Sequence, residues 1–169
     1  MESLCHSLCA GCMTTPDFLD TVATTTAAVC TGAVGGVYVA FSAMVIPALN
    51  ARPAGEAVTA MQRINVLAVR PPFMVLFFGG AAASVVVAAT AGASEPHSLM
   101  RLAGAVLSLA SFGVTVAVNV PLNNALARAS GVGFTDTWRA FERPWARANS
   151  VRGVLALAGA TVLAGSLGW

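Results

Sequence analysis

Six polar side chains stand out in an otherwise oily chain: Gln62, Asn65, Asn119, Asn123, Asn149 and Arg152. Asn119 interrupts the apolar run from Val114 to Leu122. Asn123 follows one helical turn later, on the same face. Trp145, Asn149 and Arg152 are spaced four and three apart, so a helix there gathers them on one face as well. Amides and a guanidinium make hydrogen bonds but are poor bases and poor metal ligands. Past the acidic N-terminal stretch, the apolar runs contain no His, Asp, Glu or Lys. A di-iron or copper centre needs several such ligands on facing helices, and a proton-coupled pump needs a chain of carboxylates. A haem needs an axial His, Cys, Met or Tyr. Gly131-Val132-Gly133 is a turn, not a nucleotide-binding loop. The expected set is therefore metal-free and cofactor-free. Its other reading is structural: such groups also cap helix ends, bond freed carbonyls or reach headgroups, and Trp138 and Trp145 also suit an interfacial belt.

These groups must be positioned by membrane helices. The chain has 169 residues, 57% hydrophobic and 9% charged, with a mean hydropathy of +0.77. A soluble domain carries about 25% charged residues. A surface so poor in charge is solvated by lipid. Four apolar stretches qualify as spans, at about 18–49, 73–91, 99–126 and 151–167. Backbone groups in hydrocarbon must pair internally, and there is no period-two alternation, so each span is a helix and a barrel is excluded. The expected fold is all-α: an integral membrane antiparallel four-helix bundle in one domain, residues 18–169.

Arginines orient it. Arg52, Arg63, Arg70, Arg128, Arg139, Arg143, Arg147 and Arg152 fall on the side shared by the first and third loops, and only Arg101 falls on the other. Basic loops stay in the cytoplasm, so both termini are expected outside a cell membrane. The net charge of +2 argues against nucleic acid as a partner. The partner expected on composition is the lipid bilayer.

Small residues at four-residue spacing, Ala28, Gly32, Gly36 and Ala40, suit close helix packing. The same stripe suits a homo-oligomer seam. Gly80 and Ser84 in the second span, and Gly104 and Ser108 in the third, offer matching surfaces. After Pro47, residues 54–69 read as a short interfacial helix with Ala57, Val58, Met61, Ile64 and Ala68 at helical spacing. Pro71-Pro72 ends it. Residues 135–148 read as a second interfacial helix, with Trp138, Phe141 and Trp145 at headgroup level. Pro121 is expected to free the carbonyl of Ala117.

Residues 1–17 read as a disordered tail, with Met13 as an alternative start. Cys5, His6, Cys9 and Cys12 match no closed zinc spacing. Cys30 reads as a small packing residue, and Trp169 as an interfacial anchor.

Four segments carry a family resemblance: GVYVAFSAMVIPAL at 36–49, AMQRIN at 60–65, NVPLNNAL at 119–126, and Trp138 through Trp145 to Asn149 and Arg152. The chain resembles the anthrone oxygenase-like family of small membrane proteins from about Thr21 onward. The resemblance implies a four-helix membrane fold. It implies oxidation of a lipophilic aromatic of the anthrone type by O2 without a cofactor. Under it, Asn119, Asn123, Asn149 and Arg152 are the catalytic candidates, as donors to an enolate oxygen. Gln62, Asn65, Trp138 and Trp145 are the substrate-binding candidates, with Trp138 or Trp145 stacking on the ring. No base is evident, so ionisation falls to solvent. The alternative is a non-catalytic membrane protein, a binding or assembly partner whose polar cup secures helix ends or a lipid headgroup.

Overall fold

The computed structural model describes residues 15–92, 97–130 and 133–168, with side chains from Phe18 onward. The cysteine-bearing tail and Trp169 lie outside the described residues. Every regular element described is helical. The order is α1 (Thr15–Ala40), a π-turn (Phe41–Val45), α2 (Ile46–Asn50), α3 (Ala54–Ala68), α4 (Pro71–Thr90), α5 (Ser98–Val114), a second π-turn (Thr115–Asn119), α6 (Val120–Ala127) and α7 (Phe134–Gly165). Four helical stretches are long and apolar enough to cross a membrane: Phe18–Asn50, Pro71–Thr90, Ser98–Ala127 and Phe134–Gly165. Val29, Val75, Val106 and Val154 stand more than half exposed on their outer faces. Such a surface is stable in lipid and not in water. The protein is a multi-pass membrane protein with a four-helix bundle fold.

The spans form a ring in which α1 and α5 each pack against both α4 and α7. The seams are lined by small residues because lipid gives helices no hydrophobic reason to associate, only close contact. The tightest seam is α5–α7. A Cβ on Gly159 would lie 2.7 Å from Ser108 Oγ and 3.0 Å from the Gly104 carbonyl oxygen. The expected stripe on α1 drifts off the seam: Gly36 has no heavy atom within 4 Å of where its Cβ would be, whereas a Cβ on Gly35 would come within 2.9 Å of Leu157 Cδ2. At one end of the bundle Arg101 grips Asp20 with both terminal nitrogens, each at 3.1 Å.

The fourth span departs from expectation. No break separates an interfacial helix at 135–148 from a span at 151–167; α7 is one helix of 32 residues that runs through Pro144. An internal proline costs a helix about 3 kcal/mol. Trp138, Phe141 and Trp145 lie on one face of this stretch and are all buried. Each large apolar side chain so buried contributes roughly 1.5–3 kcal/mol, so three of them outweigh the proline. They join Ile46, Leu49, Leu126 and the buried face of α3 (Ala57, Val58, Met61) in one apolar cluster. The two tryptophans are thus core residues and not a lipid-facing belt.

Both π-turns end against a proline pair, Ile46-Pro47 and Val120-Pro121. A proline ring clashes with the carbonyl four residues back. Widening the preceding turn by one residue relieves the clash. Accordingly the Ile46 N–H reaches back five residues to the Phe41 carbonyl, and the Val120 N–H to that of Thr115.

Candidate functional site

Arg152 is the only charged side chain buried among the described residues, with 7% of its surface exposed. At about 1.5 Å per residue it sits roughly 20 Å along α7 from Gly165, within a helix long enough to cross a hydrocarbon core of about 30 Å. Neither ion pair among the described residues involves it. Its charge is held by softer means. Nε and Nη2 donate to Asn149 Oδ1 at 3.2 and 2.8 Å, and Nη1 donates to Thr115 Oγ1 at 3.4 Å. The guanidinium carbon lies 3.9 Å from the centre of the Tyr38 ring and 5.3 Å from that of Trp145, a cation–π clamp on the aromatic faces. A guanidinium has five N–H donors. Three are used here, leaving two without a protein partner.

The surrounding helices fix this centre. Asn149 Nδ2 donates to the Tyr38 carbonyl and to Ser42 Oγ, each at 2.8 Å. Tyr38 OH meets Thr115 Oγ1 at 3.3 Å, and Ser111 donates to the Arg152 carbonyl at 2.8 Å. Ser42 belongs to the first π-turn, and Thr115 and Asn119 to the second. The two proline-induced irregularities therefore deliver polar groups to the same place, a common use of π-turns.

Asn119 is fully buried and donates weakly to the Trp145 carbonyl at 3.4 Å. Its Oδ1 has no partner. Asn123 accepts the Trp145 indole N–H at 2.8 Å, so both asparagines of the third span meet Trp145. The other three candidates lie elsewhere. Gln62 bonds the carbonyls of Leu126 and Ala129 at 2.8 and 3.1 Å and so closes the end of α6. Asn65 Nδ2 is buried without a partner. Trp138 donates to Asn50 at 2.8 Å, and Asn50 to Glu142 at 3.3 Å. The single polar cup expected at the arginine-rich end is not formed. The apolar cluster around Met61 and Phe141 fills that end, and the polar centre lies deeper.

Tyr38, Ser42, Ser111 and Thr115 were not expected here. Ser and Thr hydroxyls in an apolar span carry little signal, because one turn back a carbonyl can satisfy each of them, and a lone tyrosine there reads as packing.

A groove of about 300 Å³ opens beside the centre between α1 and α7, floored by Tyr38, Ser42, Asn149 and Gly153. Its rim residues Val39 and Val154 are exposed, so it faces the lipid. The volume is at the lower limit for a small-molecule site, about 300–1,000 Å³. Among the described residues no three His, Cys, Asp or Glu side chains gather as a metal site.

A model of the anthrone oxygenase family matches residues 69–162, more than half of the chain. The chain belongs to the anthrone oxygenase family. The match spans α4 to most of α7 and so includes Asn119, Asn123, Trp138, Trp145, Asn149 and Arg152. Tyr38 and Ser42, which α1 and its π-turn bring to the centre in this anthrone oxygenase family member, lie outside the matched segment. No curated protein and no solved structure matches the chain.

Proposed function

We propose that this protein is a cofactor-independent membrane oxygenase for a lipophilic aromatic ketone of the anthrone type. The observation that carries the reading is a buried guanidinium with no carboxylate partner and two unused N–H donors, beside a groove open to lipid. A buried cation without a counter-ion is costly, and a bound anion repays that cost. The basic end faces the cytoplasm and both termini face outward, because seven of the nine arginines would otherwise need translocation.

The substrate enters the groove from the bilayer with its ketone oxygen toward the floor formed by Tyr38 and Asn149, and it must pass that floor to reach Arg152, which stands behind it. Its activated methylene loses a proton to water, since the centre offers no base. The negative charge spreads to the ketone oxygen, where the free guanidinium donors stabilise it. The carbanion passes one electron to O2, and the resulting superoxide and carbon radical join as a C–O bond. The peroxide takes a proton. Loss of the second methylene proton then breaks the O–O bond and expels hydroxide. The sum is CH2 plus O2 giving C=O plus H2O.

A scaffolding role has one observation in its favour: Asn149 and Arg152 tie α1, α5 and α7 together. Oxygen uptake by detergent-purified protein with a model anthrone separates the two. Turnover above the spontaneous rate is expected. It should fall in Asn119→Ala, which loses only a 3.4 Å bond, and in Gly153→Leu, which fills the groove. A Cβ on Gly153 meets only Tyr38 Cβ, at 3.4 Å, so Gly153→Leu should remain folded. No uptake above background in the wild type, or equal uptake in both variants, favours the scaffold.

A further inference from the structure

On the far side of Tyr38 from the lipid-facing groove lies a second, small cavity of about 20 Å³ between the helices of the bundle. Tyr38 lines both spaces. A site needs roughly 10–15 Å³ by this measure to hold one water-sized molecule, so there is room for a single small occupant. Most of the wall is carbon, supplied by Val34, Leu76, Phe77, Ala81, Phe112 and Ala156. The Phe77 and Phe112 rings stack with centroids 4.6 Å apart.

The polar wall groups discourage water. Ser108 donates its proton to the Gly104 carbonyl and Ser111 to the Arg152 carbonyl. Thr115 donates to the Ser111 carbonyl, so the Tyr38 proton goes to Thr115 in turn. Of the hydroxyls on the wall, only that of Thr31 is not committed in this way. An ordered buried water makes about three hydrogen bonds. A small apolar molecule needs none, and cavities with apolar walls stay dry enough to take one.

We infer that this cavity is a dioxygen-binding site, separated from the substrate groove by the Tyr38 side chain. The inference rests on the oxygenase reading for its purpose but not for its test. Dioxygen is apolar and partitions into lipid, so it reaches the cavity through the bundle walls without crossing the substrate's path. Tyr38 also stacks on Arg152, which places the stored oxidant one side chain away from the charge that stabilises the enolate.

The test uses xenon as an apolar probe on the detergent-purified full chain, read by methyl NMR. Saturable shifts at Val34, Ala81 and Ala156 are expected. Those at Val34 and Ala156 should vanish in Ala81→Leu, where the added bulk comes from a half-exposed position. In the same variant the KM for oxygen should rise several-fold, by more than kcat falls. Absence of xenon shifts in the wild type overturns the inference, as does an unaltered oxygen KM in a folded Ala81→Leu. If the wild type oxidises no anthrone, the oxygenase reading fails by itself. Paramagnetic broadening of the same three methyls by dissolved dioxygen then decides the cavity, and its absence overturns the site.

Discussion

Arg152→Met is expected to lower turnover by about 100- to 1,000-fold, the range found when one charge-stabilising donor is removed from an active site. The protein should stay folded. The substitution leaves Asn149 Oδ1 without its two donors, a loss of about 1–3 kcal/mol. It also removes a buried charge that has no ion-pair partner, and replacing buried charge with apolar bulk is often neutral or stabilising by a similar amount. The two terms nearly cancel. Arg152→Lys sharpens the test, because it keeps the charge but loses the planar fork and the stacking between Tyr38 and Trp145. If the guanidinium donors matter, Lys restores only a small part of the rate. Oxygen uptake and the thermal midpoint in detergent, measured on the same preparations, decide it. Full activity in Arg152→Met would falsify the assignment of this centre.

Gly159→Leu should have the opposite signature, a large loss of stability with chemistry lost only as a consequence. Any side chain there meets Ser108 Oγ at 2.7 Å and the Gly104 backbone at 3.0 Å. Backbone cannot swing aside as a side chain can, so α5 and α7 must separate along their length. Overpacking costs typically 1–3 kcal/mol, and a side chain pressed onto backbone that cannot yield belongs at the top of that range. A chain of this size should then melt roughly 6–12 °C lower. Gly36→Leu is the control: it adds the same bulk where nothing lies within 4 Å and should leave the midpoint in place. Equal effects from the two would refute the seam.

The contrast between Gly36 and Gly159 also indicates what was legible in the chain. Four spans and the helix of residues 54–68 follow from apolar runs and spacing alone, because lipid permits few alternatives. The faces of α1 were harder. A four-residue stripe is a regular pattern, but a packed helix presents a face that drifts with its crossing angle, so Gly35 and not Gly36 reaches Leu157. Continuity of α7 through Pro144 depended on three aromatics finding a core that belongs to α2, α3 and α6, which no local pattern reports. The pairing of Asn149 with Arg152 was visible as spacing along one helix. The share of Tyr38, Ser42 and Thr115 was not, because it comes from other helices and, for Ser42 and Thr115, from π-turns that break the 3.6 period. Gln62 was drawn into the expected cup by type and end of bundle, yet its amide closes the last turn of α6.

The depth of Arg152 has an electrical consequence. It sits roughly 20 Å from the Gly165 end of its helix; with that end at the edge of a hydrocarbon layer of about 30 Å, about a third of the layer separates it from the arginine-rich side. A neutral ketone that ionises there releases a proton to one side and keeps its negative charge inside the membrane field. That separation of charge feels part of the transmembrane voltage, worth about 2.3 kcal/mol per 100 mV for a full crossing. A third of it is about 0.8 kcal/mol, close to a fourfold change in the ionised fraction. A reaction with no net transport would thus be electrogenic in its first step, and an energised membrane would change its rate by about that fourfold factor per 100 mV.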